Sequence, residues 1–150
     1  MWKLYNLITS YIISFFDYLG RHRIIKDRIN EEPYLERYYL FIKDRKKFPF
    51  NIFLHKFLKS DPDDMHDHPW GFFTLILWGG YWEYTPNGKF WRAPGYWNKV
   101  DATWIHRVEL DNETPCWTLF IPFQNNRIWG FYKNEEWIES EQYFRSKQSQ

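Results

Sequence analysis

The chain has 150 residues, with 20 basic against 19 acidic side chains for a formal net charge of +1. That length holds one compact domain with a sizeable core and excludes a multidomain machine, while the balanced charge leaves no electrostatic footprint for nucleic acid. Aromatics make up 23% of the residues, Val100 and Val108 are the only valines, and Ala93 and Ala102 the only alanines. Such a composition argues against a helical bundle and for β-structure. Cys116 stands alone, which excludes an internal disulfide or a thiolate zinc finger and suits a reducing, cytoplasmic setting.

Residues 4–16 carry no charge, yet they fall short of the ~20 apolar residues needed to cross a bilayer. Leu4, Leu7, Ile8, Tyr11, Ile12, Phe15 and Leu19 recur at helical spacing, so an N-terminal amphipathic helix is expected, stopped at Gly20. Its apolar face should pack on the domain itself or on a partner subunit, making a homodimer one expectation. Its polar face lacks the Lys/Arg enrichment of helices that lie on membrane surfaces. From residue 34 the period changes to two: segments 34–42, 50–58, 72–78, 81–85, 104–110, 117–121 and 128–132 are short and aromatic or branched. Turn chemistry separates them, most clearly at Asn87-Gly88, where a type I′ hairpin is expected. Seven to nine short strands point to a mainly β fold, a single antiparallel jelly-roll barrel. Residues 1–30 are thus read as helix and connector, 31–145 as the β domain and 146–150 as a disordered polar tail.

The segment with chemistry in it is Asp63-Asp64-Met65-His66-Asp67-His68. On a strand, residues i and i+2 share a face, so His66 and His68 present two imidazoles side by side, as a metal ion requires. His106, on the segment 104–110, supplies a third. Asp64 has the parity of the pair and is a candidate fourth ligand or a group that orients an imidazole. Trp104 has the parity of His106 and should point inward beside it. Tyr81, Arg92 and Trp104 are the candidate catalytic groups, and Arg92 and Arg127 the strand cations able to grip an anionic substrate. Each histidine also has a plainer reading: a solvated pair at a loop end for His66 and His68, a partly buried ring for His106. His55, on the Phe53/Phe57 face, reads as a core histidine. Cys116, after Pro115 and amid apolar residues, reads as a packed thiol.

These residues resemble the two metal-binding motifs of the cupin superfamily, over about residues 50–132. His66-Asp67-His68 followed by a strand ending at Gly79 is similar to the first motif, and Gly95 to His106, with Asp101-Ala102-Thr103 at the family's turn, to the second. Phe72 stands where the family's Glu is expected. The resemblance therefore implies a cupin-like barrel with a three-histidine metal site, similar to the ferrous site of the thiol dioxygenases. It implies a divalent metal, Fe(II) first and Zn, Ni or Mn as alternatives, and a small-molecule substrate. The function expected is that of a non-haem iron dioxygenase. The alternatives are an isomerase or hydrolase using a redox-inactive metal, and a non-catalytic ligand-binding or assembly module.

Overall fold

The computed structural model describes residues 2–27, 30–43 and 48–148. Helix α1 (Trp2–Tyr18) opens the chain and ends at Gly20, whose φ of +60° suits a left-handed cap; Arg21 N–H then bonds back to Phe16 C=O at 2.8 Å. No helix among the described residues is long and apolar enough to cross a membrane.

Among the described residues twelve strands follow: β1 (His22–Lys26), β2 (Pro33–Tyr39), β3 (Phe53–Phe57), β4 (Met65–His66), β5 (Phe72–Trp78), β6 (Tyr81–Thr85), β7 (Gly88–Arg92), β8 (Trp97–Val100), β9 (Arg107–Leu110), β10 (Cys116–Pro122), β11 (Gly130–Lys133) and β12 (Glu136–Glu139). They form a six-stranded sheet in the order β1-β2-β3-β10-β5-β8 and two three-stranded sheets, β12-β11-β4 and β7-β6-β9. Every pairing is antiparallel.

Alternation decides what each strand buries. Phe72, Thr74 and Ile76 of β5 are buried, whereas Phe73 and Leu75 are only half-buried and Leu77 is exposed. Register carries the same face sideways: Ile76 lies opposite Thr118, and Thr74 opposite Phe120. Ile76, Tyr81, Val108, Leu110 and Cys116 make the centre of the core. The Cys116 thiol is fully buried and pushed up to about 12 by that burial, a packing group rather than a nucleophile.

Helix α1 covers the outer face of the large sheet, but by an unexpected side. Tyr5 stacks on Trp78 at 5.4 Å and accepts a hydrogen bond from Trp117 Nε1 at 3.1 Å, while Phe16 meets Tyr38 edge-on. Of the stripe expected to pack, Leu4, Leu7, Ile8, Tyr11, Phe15 and Leu19 are exposed instead, and only Ile12 is half-buried. The helix is apolar nearly all round, so periodicity alone leaves its rotation open; the aromatic partners on β2, β5 and β10 choose it.

One turn also differs from expectation. Thr85 pairs directly with Gly88, so the β6–β7 loop is Pro86-Asn87 and not Asn87-Gly88. Proline fixes a negative φ, which is incompatible with type I′. At the other end of the chain, residues 140–148 form helix α2 (Ser140–Gln148), which takes in Ser146 and Lys147 of the segment expected as a tail. Tyr143 stacks on Phe131 at 3.8 Å and Lys147 pairs with Asp63, contacts with the domain that fix the helix. Residues 149 and 150 lie outside the described residues.

Candidate metal centre

His66 and His106 face one another across an antiparallel bridge, each N–H bonding the other's C=O, at 2.8 and 2.9 Å. Residues directly opposite in such a pair project to the same side. Strand β4 is held from its other edge by β11, where His66 lies opposite Phe131. Asp67, of opposite parity, turns away and is fully buried: it accepts from Gly130 N–H at 2.7 Å and Trp137 Nε1 at 3.0 Å, and pairs with Arg127. The aspartate between the histidines thus anchors their strand while the imidazoles converge on the opposite side.

The three rings form a near-equilateral triangle, with centroids 5.1, 5.5 and 5.2 Å apart. One ligand nitrogen from each lies within 4.8 Å of the others, so the trio can hold a metal ion. Two of the tautomers follow from the partners. Glu83 Oε1 lies 3.0 Å from His106 Nδ1, and Asp64 C=O lies 3.2 Å from His66 Nδ1. A carboxylate and a carbonyl only accept, so both Nδ1 atoms carry protons, and in the neutral tautomer this selects, Nε2 is the nitrogen left to ligate. His68 Nε2 sits 3.0 Å from His106 Nε2. Two nitrogens at about 2.1 Å from one ion and at a right angle would be about 3.0 Å apart, so this spacing fits a shared cation. Burial favours the neutral form of His66 and His68. It lowers His66 below its ordinary value against the pull of Asp61, and lowers His68 well below it with help from the neighbouring imidazoles.

Glu83 is the residue the sequence reading missed. Burial would push its carboxyl up, but hydrogen bonds from His106, Trp104 Nε1 (3.1 Å) and Arg92 Nε (2.8 Å) outweigh it and hold the group at about 2. The sign was present in the sequence: Glu83 has the inward parity of Tyr81 and Thr85 and is the one charged residue of a strand with three aromatics. The same cluster corrects two expectations. Strand β9 starts only at Arg107, and Trp104 lies in the turn closed by its N–H to Asp101 C=O, so parity with His106 does not hold. Trp104 therefore supports Glu83 on the far side of His106 instead of lining the cavity. Arg92 is engaged by Glu83 and stacks over Tyr96 at 4.4 Å, and Arg127 is engaged by Asp67, so neither cation points into the site. The Asp64 carboxylate accepts from the Tyr143 hydroxyl at 2.7 Å and lies outside the ligand trio; its backbone carbonyl orients His66.

The trio opens on a cavity of about 400 Å³ whose lining includes Tyr34, Asp61, Phe72, Tyr81, Phe120 and Trp129. Phe72, at the place of the expected Glu, packs its ring 5.2 Å from His68 and 5.6 Å from His106. Tyr81 is the one catalytic candidate that reaches this space, and burial raises its hydroxyl so that it stays protonated. Asp61 is buried on the same lining, accepting from Val108 N–H at 2.7 Å and from the Tyr34 hydroxyl.

No protein-family model matches the sequence, and no curated protein matches it. Solved structures do. A cupin-2 domain from Rhodospirillum rubrum superposes with a TM-score of 0.57 at 11% identity, covering 75% of this chain and 76% of that one. The chain has a cupin fold. The polyketide cyclase RemF from Streptomyces resistomycificus also superposes, with a TM-score of 0.51 and 14% identity over 59% of this chain. Iron(II) HppE, determined with an alternative substrate, gives 0.53 and 13% over 69%. The chain spans 64% of the length of the cyclase and 57% of HppE. Identities this low establish the shared fold; within that cupin fold, function rests on the site.

Proposed function

We propose that this chain is a metal-dependent enzyme, a non-haem iron dioxygenase acting on a small molecule, with His66, His68 and His106 as the metal ligands. The observation that carries the reading is the convergence of three imidazoles, His106 buried and His66 and His68 half-buried, two of them fixed through Nδ1, on the wall of a 400 Å³ cavity. Three neutral ligands leave coordination positions open, which is the arrangement of a catalytic rather than a structural site. A ferrous ion held there would supply the redox chemistry that dioxygen requires. The chain supplies the rest. Glu83 and the Asp64 carbonyl hold two imidazoles in their ligating tautomers, Phe72, Phe120 and Trp129 exclude water, and the Tyr81 hydroxyl is a hydrogen-bond donor to a bound molecule. We read the three sheets as a jelly-roll barrel wrapped around this cavity, in a cytoplasmic protein.

One feature favours a second reading: Asp61 places a buried carboxylate on the lining beside His66, where an isomerase or hydrolase built on zinc, nickel or manganese would want a base. Its two hydrogen-bond donors weaken it in that role. Elemental analysis of protein purified anaerobically without chelator, wild type beside His66→Ala, tests both. Near-stoichiometric iron in the wild type and none in the mutant, followed by substrate-dependent oxygen uptake, is expected. Zinc, nickel or manganese in its place would move the assignment to the second reading, and no metal after reconstitution would overturn both.

A further inference from the structure

We propose that the wall of the cavity formed by β2, β3 and β10 is a recognition subsite for a carboxylate, built from Arg37, His55 and Thr118. The inference rests on the metal-site reading only for the identity of what lies at the other end of the same cavity. Register puts the three residues in one row: Arg37 lies opposite His55, and His55 opposite Thr118. All three line the cavity. Cross-strand neighbours project to one side, so the row presents its polar groups together in a lining otherwise dominated by aromatic rings.

The hydrogen bonds define what this row offers. Arg37 Nε donates to His55 Nε2 at 3.0 Å. A guanidinium only donates, so His55 Nε2 is the acceptor and its proton is on Nδ1. Burial, with the adjacent guanidinium, lowers His55 well below its ordinary value, consistent with a neutral ring. His55 is 3% exposed and Thr118 1%, yet His55 Nδ1 and Thr118 Oγ1 have no hydrogen-bond partner among the described residues. Buried polar atoms are nearly always satisfied, and orphaned ones cost stability, so two side by side on a cavity wall mark a place where a ligand completes the set. The ligand must bring acceptors for an imidazole N–H and a hydroxyl next to a permanent positive charge. A carboxylate does all of this.

The rest of the cavity describes the body of that ligand. Phe120 stacks on His55 at 4.8 Å and meets Phe72 at 5.1 Å, and Phe72 in turn touches His68. An apolar or aromatic group therefore spans the space between the anchored carboxylate and the histidine trio. The substrate class is a small carboxylic acid with a hydrophobic body.

The test uses the full chain after chelator treatment, with phenylacetate and its neutral isostere phenylacetamide as probes, by calorimetry and by nitrogen NMR of labelled histidine. Phenylacetate is expected to bind, to shift the His55 Nδ1 resonance, and to bind at least about tenfold more tightly than phenylacetamide, as hydrogen bonds to a charged group imply. Arg37→Met should lose at least about tenfold, and the near-isosteric Thr118→Val less but measurably. Equal binding of the two probes, binding of neither, or an Arg37→Met variant that binds like wild type would each overturn the subsite. If Arg37→Met fails to fold, the probe pair on wild type and Thr118→Val decide alone. Zinc titrations on the same samples separate the two proposals. Zinc bound without carboxylate discrimination overturns the subsite only, and carboxylate bound without zinc overturns the metal reading only.

Discussion

Replacing Glu83 by Gln isolates the contribution of the carboxylate that stands behind His106. At neutral pH Glu83 is ionised, being held at about 2, and it receives His106 Nδ1 and Trp104 Nε1 on one oxygen and Arg92 Nε on the other. Glutamine is nearly isosteric but turns one oxygen into a donor, and neither orientation of the amide satisfies all three partners. With its oxygen toward His106, the NH₂ meets Arg92, whose side chain is 18% exposed and loses its counter-charge. With the amide flipped, His106 faces a donor and must carry its proton on Nε2, the atom needed for a metal. Loss of such a partner costs about 10–100-fold in metal affinity, or about 1.4–2.8 kcal/mol. A zinc titration against a chromophoric chelator reads this directly. Glu109→Gln, which disturbs the outward cluster with Tyr84, Lys89 and Arg107, is the control and should bind like wild type. A folded Glu83→Gln protein with zinc affinity within about threefold of wild type would refute the argument that Glu83 fixes the ligating tautomer.

Two further outcomes concern stability. Asp67→Ala leaves Arg127, Gly130 N–H and Trp137 Nε1 without their shared acceptor, and should destabilise the domain by about 3–5 kcal/mol in denaturant melts; a loss under about 1 kcal/mol would show that β4 is held by something else. In metal-free protein, His55, His66 and His68 all have folded values depressed below the ordinary 6.5, so the unfolded chain takes up protons first. Stability is thus fully present above about pH 6.5 and falls as the pH drops below it, by up to about 1.4 kcal/mol per pH unit for each histidine. Chelated protein followed by urea unfolding from pH 7.5 to 5 should show that slope, Thr118→Val leaving it unchanged; a flat profile would mean the rings are protonated in the fold.

Much of the site was legible before any coordinates. The period-two segments, the single reduced cysteine and the parity of His66 and His68 are local facts, since a strand fixes which neighbours share a face whatever it later packs against. The position of His106 on a later predicted strand and the motif spacing brought in the third imidazole. Parity failed at Trp104, because it sits in the turn closed by its own N–H to Asp101 C=O, where the extended geometry that sets parity is lost. Periodicity also left the rotation of α1 open, since a helix apolar on most sides has no single face to read.

What tertiary structure alone decided is pairing between segments distant in the chain. Glu83 meets His106 across 23 positions, and Arg92 is drawn to that same carboxylate and away from the cavity. Arg37, His55 and Thr118 come from three strands that only the sheet order makes neighbours. Side-chain periodicity depends on local backbone geometry, so the sequence alone determined the strand faces and the histidine pair. Strand order and register depend on how all the apolar faces are buried at once, so only the folded chain determined which charges are neutralised and which polar atoms face the cavity.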